Sequence, residues 1–186
     1  MRKRMHFFLA TIMLMLTSTV VFTEAHDLKL NGIDGQKHAL NEYIGHGKWV
    51  VVNVWATACP YCRHELYDLS NFHNAHKDKD AVVIGLTIDW PSFEYPDKDY
   101  LADFASGYFI DYLLLMVNGE VASQVIGKSV DMVPISFFYN PEGQLVRRIN
   151  GMVTEQMLED AIKQKPSKYR TDWAKEVPPE YQPKQQ

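Results

Sequence analysis

Two apolar patterns alternate along this chain. Lys48 to Trp55 is a nearly unbroken run of valine and tryptophan, and Ala81 to Ile88 is a second continuous apolar run. Such runs predict strands buried on both faces, since a surface strand would alternate with polar residues. Between them, from Pro60, apolar residues recur at three- and four-residue steps: Cys62, Leu66, Leu69, Phe72 and Ala75. That spacing predicts a helix with one buried face, ended by the charged segment Lys77 to Asp80. Proline suits its first position, where the N–H lacks an intrahelical partner in any case. Strand, helix and strand in one sheet make a right-handed unit with parallel strands.

The flanking pattern fills in the rest. Asp27 to Leu40 predicts a hairpin, with Leu28 and Leu30 alternating with polar residues and turn signals at Gly32 and Asp34-Gly35. Asn41 is expected to cap a short turn that Gly45-His46-Gly47 breaks. Asp89 to Asp99 reads as a loop with two prolines and three aromatics, Trp90, Phe93 and Tyr95. Tyr100 to Tyr112 reads as a second crossover helix, Leu113 to Val117 as a short strand, and Glu120 to Ile126 as a helix closed by Gly127. Ile135 to Tyr139 and Leu145 to Ile149 flank Asn140-Pro141-Glu142-Gly143, a hairpin signal. Thr154 to Lys163 predicts a last helix, capped by Thr154, with Met157, Leu158, Ala161 and Ile162 inward. This order predicts an α/β fold with a central mixed sheet flanked by helices.

The two ends differ from the middle. Arg2, Lys3 and Arg4 precede an apolar stretch from Phe7 to Phe22, and Thr23-Glu24-Ala25 is a small-residue cleavage site. As a helix that stretch would measure about 24 Å against a hydrocarbon core of about 30 Å, so it suits an export signal better than an uncleaved membrane tether. Either way the domain lies outside the cytosol. The expected division is a signal at residues 1–25, one domain at 26–165 and a polar, proline-rich, mostly disordered tail at 166–186, within which Tyr169 to Val177 is a candidate docked helix. The formal charge of −4 and the lack of a basic run argue against a nucleic-acid partner.

Chemistry is concentrated in Asn53-Val54-Trp55-Ala56-Thr57-Ala58-Cys59-Pro60-Tyr61-Cys62, which holds both cysteines of the 186 residues. A disulfide between such close neighbours removes little unfolded-state entropy, so the pair is read as reactive rather than as a staple. With Met132-Val133-Pro134-Ile135-Ser136-Phe137-Phe138 and the Asn140 hairpin with its downstream Gly151, the motif resembles the thioredoxin fold. The resemblance is to its exported TlpA-like branch (TlpA/ResA/DsbE type), over about residues 28 to 164. The strand and helix between residues 81 and 112 resemble that branch's central insertion. Three positions depart from the pattern. Ala58 stands where relatives carry Trp, and Asn53 stands where thioredoxin carries a buried Asp, whose lysine partner would fall near Gly85. A proline follows the first cysteine rather than preceding the second. The acid-base helper is therefore left unassigned.

The resemblance implies a thiol-disulfide oxidoreductase that needs no cofactor beyond its own thiols. Cys59 is placed at the N-cap of the helix, where unpaired N–H groups and the helix dipole favour a thiolate nucleophile; Cys62, one turn on, is the resolving thiol. Pro134 is expected in cis opposite the cysteines, with Val133 offering its main chain to an extended substrate. Tyr61 and Trp90 are further candidate substrate contacts, although loop aromatics such as Trp90 equally serve as local core. Trp55 and Ala56 are expected to pack beneath the motif. Partners would be exported proteins with thiols or disulfides, such as apocytochromes, and a membrane redox protein. Reduction is the expected direction, although the Cys-Pro-Tyr-Cys order of glutaredoxins (roughly −200 to −230 mV against about −270 mV for thioredoxin) leaves a disulfide-forming role open. A zinc site with His73 and His76 is excluded by about 16 Å of helix between Cys62 and His73, and both histidines are expected to be solvated. Cu(I) handling would need a third ligand that no residue offers plainly; His64, next to Glu65 on the helix, is expected to be exposed.

Overall fold

A computed structural model describes residues 24–89 and 97–164. The apolar stretch Phe7 to Phe22, the aromatics Trp90, Phe93 and Tyr95, and the tail at 166–186 lie outside those residues. The described part is one seven-stranded mixed sheet. Its strands are β1 (Leu30–Gly32), β2 (Lys37–His38), β3 (Trp49–Trp55), β4 (Ala81–Thr87), β5 (Leu113–Met116), β6 (Ile135–Tyr139) and β7 (Leu145–Asn150). They lie in the order β2-β1-β5-β4-β3-β6-β7. β3, β4 and β5 run parallel, joined by the crossover helices α1 (Pro60–His76) and α2 (Lys98–Gly107). β6 and β7 form the antiparallel hairpin and β6 pairs with β3. β1 pairs with β2 and also with β5, which the sequence pattern did not specify.

Every residue of β3 is buried, which is why its sequence shows no alternation. Odd and even residues of a strand point to opposite faces. Asn53 contacts α1 and Trp55 packs its ring 5.5 Å from Phe104 of α2, so both crossover helices cover the odd face. α4 (Glu155–Ile162) packs beside α1. Its Thr154 cap accepts from Met157 N–H at 3.3 Å, and Met157, Leu158, Ala161 and Ile162 are buried. On the even face Tyr139, register partner of Val50, meets the ring of His26 from a 3-10 turn at Glu24–Asp27; that turn contacts α3 (Gly119–Ile126). α3 ends at Gly127, whose φ of 67° is the left-handed conformation that suits glycine.

Several expectations change. α2 stops at Gly107, well before Tyr112, and Phe109 turns the chain with a φ of 54°. The short turn is a 3-10 helix at Leu40–Glu42 capped by Ala39, with no side-chain cap, and Asn41 lies inside it. On α1 Ala75 is exposed and His73 is buried. Eleven residues are almost a whole number of turns, so His73 sits above Cys62 on the buried face while Ala75 rotates out. His73 Nδ1 accepts from Val83 N–H at 3.1 Å, and burial lowers its pKa. His76, far from solvated, hydrogen-bonds Asp80 and Glu159 at 2.6 Å each, tying α1 to α4.

Candidate active site

The carboxyl end of β3 runs through Ala56, Thr57 and Ala58 into α1, whose N-cap is Cys59. Trp55 and Ala56 are fully buried, and Ala58 is exposed. Cys59 and Cys62 form a disulfide, with Cα atoms 5.3 Å apart. Cys59 Sγ accepts from Cys62 N–H at 3.2 Å, so one orphan amide of the helix start is already directed at this sulfur. Cys59 is 6 % exposed and Cys62 not at all, which makes Cys59 the sulfur a partner can reach.

β6 supplies the facing wall. Ile135 is the register partner of Val54, so the chain just before it passes the Trp55–Cys59 segment. The Val133–Pro134 peptide bond is cis, and the Val133 carbonyl oxygen lies 3.9 Å from Cys59 Sγ. Pro134 is buried, and Val133 and Tyr61 are half-buried.

Behind the disulfide lies a residue to which the sequence pattern gave no role. Glu65 is 1 % exposed. It stands three residues after Cys62, on the same face of α1. Its Oε1 accepts from Asn53 Nδ2 at 2.9 Å and its Oε2 from Val153 N–H at 2.8 Å. Asn53 Nδ2 also donates to Ser136 Oγ at 3.0 Å, linking Glu65 to the strand that starts after Pro134. Burial pushes the Glu65 carboxyl up to about 8, against the pull of the two N–H donors, and Asp68 adds to the rise. The signal was present in the chain: a carboxylate inside the apolar arc between Cys62 and Leu66 has no innocent place on a buried face.

Asn53 and Gly85 are register partners, so the two positions compared above with thioredoxin's Asp and Lys do face each other. The carboxylate has moved to the helix, across a hydrogen bond from Asn53. Among the described residues no group of His, Cys, Asp or Glu is arranged to hold a metal ion, and no helix is long and apolar enough to cross a membrane.

Residues 21–148 match the AhpC/TSA family. The chain belongs to that family. A thiol-disulfide oxidoreductase ResA from Bacillus cereus is 24% identical over 179 residues, covering 88% of this chain and 98% of the relative. Among solved structures, a DsbF homologue from Corynebacterium diphtheriae superposes with a TM-score of 0.62 at 25% identity, covering 74% of this chain and 83% of that one. A thioredoxin-family thiol:disulfide interchange protein from Chlorobium tepidum superposes at 0.63 with 19% identity, covering 74% and 91%; that likeness speaks for the thioredoxin fold alone.

Proposed function

We propose that this thiol-disulfide oxidoreductase works outside the cytosol as a protein-disulfide reductase, with Cys59 as nucleophile, Cys62 as resolving thiol and Glu65 as the proton carrier between them. The observation that carries the reading is a disulfide whose reachable sulfur caps α1 beside the Val133 carbonyl, while the buried carboxyl of Glu65 stands one turn beyond Cys62.

The reduced enzyme begins with Cys59 as thiolate, favoured by the Cys62 N–H and the helix dipole. It attacks one sulfur of a substrate disulfide; an Sγ–S bond forms, the substrate S–S bond breaks and one substrate thiolate leaves. Cys62 then gives its proton to the Glu65 carboxylate and attacks Cys59 Sγ, which expels the second substrate thiolate and leaves the Cys59–Cys62 disulfide. Two electrons pass to the substrate. A carboxyl pushed up to about 8 exchanges its proton near neutral pH, which suits Glu65 to take and return the proton of the resolving thiol. In the reverse half-reaction Glu65 returns that proton as Cys62 leaves.

The substrate lies extended along the Val133–Pro134 edge, pairing with the Val133 main chain as an added strand would. Tyr61, and Trp90 outside the described residues, flank it. A membrane redox protein resupplies the electrons, and residues 1–25 direct export to the periplasm, by cleavage after Ala25. Acid trapping of thiols in living cells tests the direction: a mostly reduced pair supports the reductase, and a mostly disulfide-bonded pair overturns it in favour of disulfide formation. Cys59→Ser should reduce disulfide exchange to background while the protein remains folded; retained exchange refutes the mechanism.

A further inference from the structure

Among the described residues, four buried polar atoms without a hydrogen-bond partner belong to one patch of the odd sheet face: Asn53 Oδ1, Trp55 Nε1, Thr87 Oγ1 and the Tyr112 hydroxyl. Their placement follows from register. Asn53 pairs with Gly85 and Trp55 with Thr87. A Cβ on Gly85 would meet Trp55 Nε1 at 3.0 Å and Tyr112 Cε2 at 3.2 Å, so the indole N–H and the phenol edge converge over this glycine. Tyr112, just before β5, is 3 % exposed and also meets the His73 ring at 6.0 Å. Burial first, and the Glu65 charge after it, hold its phenol well above the ordinary range.

The four atoms are complementary. Trp55 Nε1 only donates, Asn53 Oδ1 only accepts, and the two hydroxyls do either. Unpaired, each would carry the full cost of its desolvation. Buried water typically satisfies such sets with two to four polar partners.

We propose that Tyr112 is a positioning residue for Glu65: its hydroxyl, with those of Thr87 and the Trp55 indole, holds internal water against the Asn53–Glu65 pair and so sets the proton affinity of that carboxyl. This rests on the reading of Glu65 as proton carrier. Tyr112 and Thr87 act through Glu65 and touch neither sulfur nor substrate. The groups acting on Glu65 are Asp68 on α1, with Cys62 one turn before it, Tyr112 before β5, and the uncharged Asn53 and Val153 N–H, Ser136 lying behind Asn53. Donors delivered through water stabilise the carboxylate, so removing one raises the Glu65 pKa.

The test is the Glu65 side-chain carboxyl 13C shift, titrated in the oxidised whole protein so that no thiol titrates with it. Tyr112→Phe deletes only the hydroxyl and should move the midpoint upward by about one pH unit, a tenfold change in proton affinity. Thr87→Val should move it the same way by less. Phe104→Leu, in the same aromatic layer but without a hydroxyl, should leave it in place. An unmoved midpoint in Tyr112→Phe, or an equal shift in Phe104→Leu, overturns the proposal; if Tyr112→Phe does not fold, Thr87→Val decides it by the same criterion. Glu65→Gln with wild-type exchange alongside a shifted Tyr112→Phe midpoint would instead refute the proton-carrier role and leave the polar cluster standing.

Discussion

The two faces of β3 are equally buried and chemically opposite. Val50, Val52 and Val54 point to the even face with Tyr139 and Phe137 as partners; ring and aliphatic packing dominates there, with the Tyr139 hydroxyl and His26 Nδ1 the polar atoms buried in it. Asn53 and Trp55 point to the odd face, where Asn53 holds Glu65 and Ser136 and several polar atoms gather over Gly85. The even face contributes stability by excluding water. The odd face takes polar groups out of water, which costs free energy unless they are paired, and in return it keeps a carboxyl that exchanges its proton near neutral pH one turn beyond Cys62. One strand thus serves as core on one side and as the floor of the site on the other.

The sharpest way to break this comparison is Glu65→Gln. If the odd face exists for proton transfer, resolution of the mixed disulfide should slow by roughly a hundredfold, read by single-turnover kinetics. A wild-type rate would make the odd face structural like the even one. The same substitution changes the pH dependence of stability. The Glu65 folded-state pKa of about 8 lies above the unfolded 4.5, so between those values the folded form holds a proton that the unfolded form has released. Stability therefore falls as pH rises from 4.5 to 8, by an amount on the order of 5 kcal/mol, and then levels off. Denaturant titrations of the oxidised protein should show this slope in the wild type and lose it in Glu65→Gln.

Val52→Ala tests the other face. Removing two methyl groups from a fully buried site should cost about 2–3 kcal/mol in denaturant unfolding, with exchange per folded molecule unchanged. A change in the pH profile of exchange would blur the distinction between the faces.

The smallest effect comes from the far end of α1, where His76 joins α4. Burial lowers its pKa, but the hydrogen bonds its ring N–H groups donate to Asp80 and Glu159 outweigh that and leave it raised. Its contribution is thus fully present below the unfolded 6.5 and is lost as pH rises through the folded value. His76→Gln should cost about 1 kcal/mol at pH 6 and less at pH 8, measured by thermal unfolding. Exchange should not change, since no part of this clamp touches the odd-face cluster.

The histidines and Glu65 show where sequence reading stopped. Periodicity locates α1 and its apolar stripe, but a stripe is defined by its apolar members, so it leaves Glu65 unplaced and puts His73 outside. Glu65 and His73 are inside because helix geometry puts them there, and each is tolerated because a backbone N–H from another element, Val153 or Val83, reaches it. Those amides lie 88 and 10 residues away in sequence, and no local pattern announces them.

What the sequence determined by itself was the order of strands and helices, the parallel unit around β3, the pairing of the two cysteines at a helix start and the β6–β7 hairpin. All of these follow from local periodicity, capping and turn chemistry. Only the tertiary structure decided that β1 closes on β5, that the Val133 carbonyl meets Cys59, and that a buried carboxyl, Glu65, accepts a hydrogen bond from Asn53. Those contacts join segments far apart in the chain, and their strength comes from burial, which exists only once the sheet and both helix layers have assembled.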